Sequence, residues 1–142
     1  MKIKNTILLL IAIAAITCSC EKYTLNKIYG QYILSKYTID GIDSLQQMKA
    51  RFGLGFLFYH EEYDDHDVLN LNDVGISSPF ISTFYLEDHN KSIMVKTGSL
   101  MLTGYGASDF YDINFSIIKL KSNDIHLKTI YNNKEYYLEL NQ

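Results

Sequence analysis

The chain has 142 residues, of which 47% are hydrophobic and 20% are charged, and its formal net charge is −3. This length and composition predict a single globular domain, and they exclude a disordered chain and most large enzyme folds. The only two cysteines, Cys18 and Cys20, are separated by one residue, so no internal disulfide is expected.

The first twenty residues have the three zones of a secretory signal peptide. Lys2 and Lys4 precede an apolar run at residues 7–16, and the small residues Thr17 and Ser19 flank the first cysteine. Ten residues form a helix of about 15 Å, against the roughly 30 Å of hydrocarbon that a membrane-spanning helix must cross. A cleaved segment is therefore favoured over a permanent transmembrane span.

A cysteine directly after a small residue at the end of such a run resembles the lipobox of bacterial lipoproteins, in which the thiol is diacylated and becomes the first residue. Cys20 follows Ser19 but has Thr17 where an aliphatic residue is expected, whereas Cys18 follows Thr17 and has Ala15 three residues earlier. We favour Cys20 as the lipid anchor, with cleavage after Ser19. The alternatives are Cys18 or an ordinary secreted protein, whose free thiols an oxidising compartment disfavours.

Cleavage after Ser19 predicts a lipoprotein signal peptide at residues 1–19, an acylated tether at 20–27 and a β domain at 28–142. It leaves 123 of the 142 residues and removes Lys2 and Lys4, so 11 basic residues remain against 16 acidic ones, a net charge of −5. Because an acidic chain repels phosphate backbones, nucleic acid is not an expected partner. Two acyl chains give stable anchoring, which predicts an outer membrane lipoprotein of the bacterial cell envelope, on its periplasmic or its surface side.

The rest of the chain predicts β-strands, because runs of Tyr, Phe, Ile, Thr and Val with a two-residue period are separated by Asn, Asp, Gly and Ser. Short connections at residues 88–90, 122–123 and 132–133 make sequential strands antiparallel neighbours. A meander exposes two edges unless it curls, so an all-β, eight-stranded antiparallel barrel is predicted, with a β-sandwich as the alternative. The eight predicted strands are residues 29–39, 55–63, 67–72, 80–87, 91–102, 110–120, 124–131 and 134–140.

One short helix interrupts the strands. Ser44 and Gln47 have the spacing of a capping box, and Leu45, Met48 and Phe52 follow at helical spacing. A helix of about two turns must pack against something to be stable. We expect it to plug one end of the barrel, with a ligand-gating lid as the alternative.

The order of these elements resembles the lipocalin-like lipoproteins common in Bacteroidota. Gly30-Gln31-Tyr32 matches their Gly-x-aromatic first strand, and Asp40-Gly41 matches their aspartate-glycine turn, although many members have Trp where this chain has Tyr32. The resemblance covers about residues 28–142. It implies a calycin-type barrel whose interior holds a small apolar molecule, in a family whose members mostly lack an assigned ligand.

The densest polar cluster lies at residues 60–67. If a strand continues through it, His60, Glu62, Asp64 and His66 share a face that can bind a divalent cation. The spacing matches no zinc or calcium motif, so we favour a solvated hairpin tip and predict no metal site.

No catalytic residue and no cofactor are predicted. The loop at residues 104–109 lacks the following helix that a phosphate site needs, no Gly-x-Ser-x-Gly elbow is present, and His89 and His126 stand alone.

The 19 Tyr and Phe residues either line a cavity or fill a narrow barrel. We favour filling. If a pocket exists, we expect Phe58, Phe84, Phe115 and Leu138 to line it, one from each of four strands.

The leading functional hypothesis is a non-enzymatic, membrane-anchored lipoprotein that binds or carries a small apolar ligand. The alternative is a structural or interaction module of an envelope protein assembly, and a cation-binding surface is a third, weaker hypothesis.

Overall fold

The computed structural model describes residues 24–71, 80–103 and 110–142, which form nine β-strands and three short helices. The strands are β1 Gly30–Ile39, β2 Ile42–Asp43, β3 Gly55–Glu61, β4 His66–Leu71, β5 Phe80–Glu87, β6 Ser92–Val95, β7 Ile113–Lys121, β8 Asp124–Tyr131 and β9 Lys134–Asn141. The helices are α1 at residues 24–28, α2 Leu45–Phe52 and α3 Ser99–Thr103.

Eight of these strands close into an antiparallel barrel. Each strand from β3 to β9 pairs with the next, while β1 pairs with β3 on one side and with β9 on the other. The extra strand, β2, pairs only with the end of β1. Closure leaves no long strand edge unpaired. The prediction of an all-β barrel is confirmed, and the sandwich alternative is wrong.

Tight turns explain why sequential strands are neighbours. Asn132 and Asn133 have φ angles of 50° and 60° in the turn between β8 and β9, and Asp40 and Gly41 have φ angles of 52° and 79° between β1 and β2. Two consecutive residues with positive φ match the right-handed twist of a hairpin, and Asn, Asp and Gly tolerate this conformation best.

The prediction of one strand over residues 91–102 is wrong. The strand ends at Val95, Thr97 turns the chain with a φ of 47°, and α3 follows at Ser99–Thr103. The period of a short apolar segment does not show whether it forms a strand or a buried helix. For the same reason the sequence predicted one helix, whereas the described residues form three.

Helix α2 forms where predicted and ends at Phe52 before Gly53. The predicted capping box is wrong, because the Ser44 side chain makes no capping hydrogen bond. The carboxylate of Asp43 instead accepts a hydrogen bond from the backbone N–H of Leu45, at 3.0 Å.

The helices cover the two ends of the barrel, which we call the α1 end and the α2 end. At the α1 end, Thr24 and Ile28 are buried, so residues that the sequence analysis assigns to the tether take part in the packing. At the α2 end, Met48 and Phe52 point into the core, and the Phe52 ring lies 5.9 Å from that of Phe80.

Between the two ends, the inward side chains of the strands form one continuous core. The alternation of buried and exposed residues follows the two-residue period, for example at Tyr136, Leu138 and Leu140 of β9. Bulges interrupt the register after Leu34 in β1 and after Ile117 in β7.

Candidate functional site

The four residues predicted to line a pocket all point into the barrel. Phe58, Phe84, Phe115 and Leu138 are each at most 2% exposed. The ring of Phe58 packs edge-on against those of Tyr32 and Phe84, with centroids 6.0 Å and 5.3 Å apart. A side chain lining a cavity wide enough for water would keep part of its surface accessible, so protein atoms fill the space around these four. A role in ligand binding stays a prediction for them.

At the α2 end, one buried hydroxyl lacks a hydrogen-bond partner among the described residues. Tyr37 on β1 is 1% exposed, and its hydroxyl has no hydrogen-bond partner among the described residues. The ring of Tyr136 on β9 lies 6.3 Å from that of Tyr37. A buried hydroxyl without a partner costs about 1–3 kcal/mol, and among the described residues side-chain oxygens of Asn70 and Ser92 are also buried without a partner.

The surroundings keep both hydroxyls protonated. Burial raises the pKa of Tyr37 far above its usual range; the neighbouring Tyr136 adds to this shift and the charge of Arg51 opposes it. Burial also raises the pKa of Tyr136, with Asp40 adding to the shift and Arg51 opposing it. Both tyrosines are therefore hydrogen-bond donors at neutral pH.

Arg51 brings a positive charge to the same place. It lies in the last turn of α2, and its Nη1 donates to the backbone carbonyl of Leu102 in α3, at 3.0 Å. The ion pairs among the described residues all use lysine or histidine as the cation, so no described carboxylate pairs with this arginine. We call Tyr37, Tyr136 and Arg51 together the α2 site.

Sequence reasoning did not find this site. Its three residues come from β1, α2 and β9, and the two tyrosines are neighbours because β1 pairs with β9 in the closed barrel, where Tyr37 lies opposite Leu138 and Ile39 opposite Tyr136. One compositional signal was available, because Arg51 is the only arginine in the chain.

The cation-binding face that the sequence left as an alternative does not form. The strand ends at Glu61, and residues 62–65 turn into β4, so His60, Glu62, Asp64 and His66 do not share a face. Across the described residues, no group of three or more His, Cys, Asp or Glu is placed to hold a metal ion.

His60 instead pairs with Asp67, which lies opposite it on β4. Its Nδ1 lies 3.0 Å from a carboxylate oxygen of Asp67, and the same oxygen accepts a hydrogen bond from the Tyr29 hydroxyl at 2.5 Å. The hydrogen bond with Asp67 raises the pKa of His60. This network ties the start of β1 to the β3–β4 hairpin, which is a structural role.

The outer surface of the barrel has two unlike sides. On β7, β8, β9 and β1 the outward side chains form ion pairs, including Lys128 with Glu135 at 2.7 Å and Lys36 with Glu139 at 3.3 Å. The central outward positions of β3, β4 and β5 carry no charge, and we call them the uncharged wall. Its residues are Leu57, Tyr59, Asn70, Ile81, Thr83 and Tyr85, together with Val68, which points outward but is only 3% exposed.

Several sequence predictions fall on other parts of the chain. Cys18, Cys20, Ser19 and the loop at residues 104–109 lie outside the described residues. Within the described ranges, no helix has both the length and the apolarity to cross a bilayer.

Comparison with known proteins adds little beyond the fold. No protein-family model matches the chain, and no curated protein matches it. Among solved structures it is similar to the crystal structure of an uncharacterized protein from Bacteroides eggerthii DSM 20697, with a TM-score of 0.45 and 13% sequence identity over 80% of this chain and 98% of that chain. The similarity is too distant to assign a ligand or an activity.

Proposed function

We propose that the chain is a non-enzymatic lipoprotein, anchored in the outer membrane of a bacterial envelope through an acylated Cys20, which binds a small molecule at the α2 end of its barrel. The observation that carries the proposal is the Tyr37 hydroxyl, which is buried without a partner in a barrel whose other inward side chains are well packed. Proteins retain such a costly group where it serves a function.

The α2 end is also the easiest place to admit a ligand. The centre of the barrel is filled around Phe58, Phe84 and Phe115, so a ligand there would have to displace the core. Helix α2 has eight residues, whereas an isolated helix needs about 12–15 to be stable in water. Because α2 depends on its packing, moving it costs less than opening the sheet.

Mass spectrometry of the full chain purified from the membranes of its own host tests both parts of this proposal. Under denaturing conditions we expect the mass of residues 20–142 with acyl chains attached, which Cys20→Ala abolishes and Cys18→Ala preserves. Under native conditions we expect a small molecule that is bound to the wild type and lost from Tyr37→Phe. Equal acylation of the two cysteine variants would refute the anchor, and a wild-type protein free of small molecules would refute ligand binding.

The uncharged wall favours a second candidate, an interaction module, and we take a second copy of the chain as its partner. The predicted mature chain has a net charge of −5, so two copies repel each other except where a face carries no charge. The wall lies along the side of the barrel, whereas α1, which follows the predicted anchor in the sequence, lies at one end. Two chains anchored in one membrane can therefore bring their walls together about a two-fold axis.

Analytical ultracentrifugation of the full chain in detergent tests this candidate. We expect a dimer that Ile81→Lys weakens at least about tenfold, because the new charge has no partner in an apolar contact. The matched control is Ile130→Lys on β8, since Ile130 is also exposed but lies outside the wall. A monomeric wild type, or equal effects of the two substitutions, would contradict the candidate.

A further inference from the structure

The position of α1 limits how far the barrel can lie from the membrane that holds the proposed anchor. Residues 21–23 separate Cys20 from Thr24 in the sequence, and the four peptide steps between them span at most about 14 Å. Residues 24–27 add nothing to this reach, because Thr24 and Ile28 are buried against the barrel. An anchor at Cys20 therefore keeps the α1 end of the barrel close to the bilayer surface.

Hydrogen bonds fix the orientation of the barrel relative to α1. The Tyr32 hydroxyl, inside the barrel, donates to the backbone carbonyl of Lys27 in α1 at 2.9 Å. The Tyr29 hydroxyl, between α1 and β1, donates to the carboxylate of Asp67 on β4 at 2.5 Å. Because α1 is held to two sides of the barrel, the turns that surround α1 face the same way as the anchor.

These turns form a surface with α1, which we call the α1 face. It consists of residues 24–28, 62–65, 88–91 and 122–123, which all lie at the end of the barrel where β1 begins. Tyr63, in the turn between β3 and β4, is 93% exposed. Tyrosine is enriched at the interface of membrane and water, where its ring lies among the headgroups and its hydroxyl stays hydrated. An exposed tyrosine at this end of the barrel therefore suits a lipid surface.

The charge of the α1 face favours one class of lipid. Its charged residues are Lys27, Glu62, Asp64, Asp65, Asp88 and Lys91. Four acidic residues against two basic ones leave a net charge of −2 on this face. An anionic bilayer repels such a face, whereas the ammonium groups of a zwitterionic lipid attract its carboxylates.

We propose that the α1 face rests on the headgroups of zwitterionic phospholipids, with Tyr63 among these headgroups and the α2 end directed away from the membrane. This inference rests on the proposed anchor at Cys20 and names the surface that the anchored chain presents to its membrane. It also places the proposed ligand-binding end on the aqueous side.

Tryptophan fluorescence tests the orientation, because the chain has no tryptophan of its own. The acylated full chain, carrying either Tyr63→Trp or Phe110→Trp, is purified from its host and reconstituted into phosphatidylcholine vesicles that contain lipid brominated in the upper acyl chain. Phe110 is the matched control, since it is 55% exposed and precedes β7 at the α2 end. The eight residues of β9, at about 3.3 Å each on a tilted strand, place the two ends about 20 Å apart.

We expect bromine to quench Tyr63→Trp at least about threefold more strongly than Phe110→Trp, because only the first lies at the membrane interface. Replacing about a third of the lipid by phosphatidylglycerol should lower the quenching of Tyr63→Trp at least about twofold. Adding Glu62→Gln and Asp64→Asn should remove this loss, because the two substitutions leave the α1 face without net charge.

Equal quenching of the two tryptophan variants, or stronger quenching of Phe110→Trp, would overturn the orientation. Unchanged or stronger quenching of Tyr63→Trp with phosphatidylglycerol would overturn the lipid class. Cys20→Ala in the Tyr63→Trp chain separates these failures from a failure of the anchor. This variant should lose the quenching, and if it is quenched as strongly as the acylated chain, the proposed anchor itself fails.

Discussion

Replacing Phe58 by alanine is expected to lower the free energy of unfolding by about 3–5 kcal/mol, the range for a large aromatic side chain in a packed core. Phe58 is 1% exposed, and its ring contacts two other buried rings, those of Tyr32 and Phe84. The truncation removes these contacts and leaves a cavity that the closed barrel cannot collapse to fill. Domains are stable by about 5–15 kcal/mol, so urea unfolding should show a large shift in midpoint.

The matched control is Phe110→Ala, the same substitution at a site that is 55% exposed, for which we expect a change within about 0.5 kcal/mol. The difference between the two variants also decides whether Phe58 fills the barrel or lines a ligand pocket, which the sequence left open. A ring that lined an open ligand cavity would already lack neighbours on one side, and its truncation would cost little more than that of Phe110. A loss below about 1 kcal/mol for Phe58→Ala would therefore contradict a filled barrel and restore the pocket hypothesis.

The barrel was predictable because the patterns that define it lie within single strands and single turns of the sequence. The alternation at Tyr136, Leu138 and Leu140 sets which side of β9 faces inward, and Asn132-Asn133 sets the turn before it. Repeated along the chain, such patterns define antiparallel neighbours, and the cost of open edges then requires closure. The prediction of one strand over residues 91–102 failed because it continued through Lys96-Thr97-Gly98-Ser99, a polar stretch of the kind that marks a turn.

The α2 site was not predictable because its residues lie far apart in the sequence and come from three different elements. Tyr37 and Tyr136 each look like ordinary core positions of their own strands, and nothing in their spacing to Arg51 suggests a shared site. Whether a buried hydroxyl finds a partner depends on which backbone carbonyl lies within reach after the barrel closes. The alternative cation face at His60 was conditional on a strand that continues through residues 60–67, and the structure ends β3 at Glu61.

Two tyrosines of β1 provide the sharpest test of the unpartnered hydroxyl, since the same substitution is expected to change stability in opposite directions. Tyr32 and Tyr37 are both inward and at most 1% exposed. The Tyr32 hydroxyl donates to the carbonyl of Lys27 at 2.9 Å and lies 3.3 Å from that of Ser122. Tyr32→Phe should therefore cost about 1 kcal/mol, because it removes the hydrogen bond that the hydroxyl donates to the Lys27 carbonyl.

Tyr37→Phe removes a hydroxyl that has no partner, so it should leave the unliganded protein unchanged or more stable by about 1 kcal/mol. Urea unfolding of the two variants and of the double variant measures the difference, and the two effects should add if the hydroxyls act independently. A loss for Tyr37→Phe as large as that for Tyr32→Phe would mean that the hydroxyl is satisfied in solution, for example by a buried water. The argument for a ligand at the α2 end would then lose its support. A gain in stability together with lost ligand binding would mean that the chain retains Tyr37 at a cost to its fold, as expected of a binding residue.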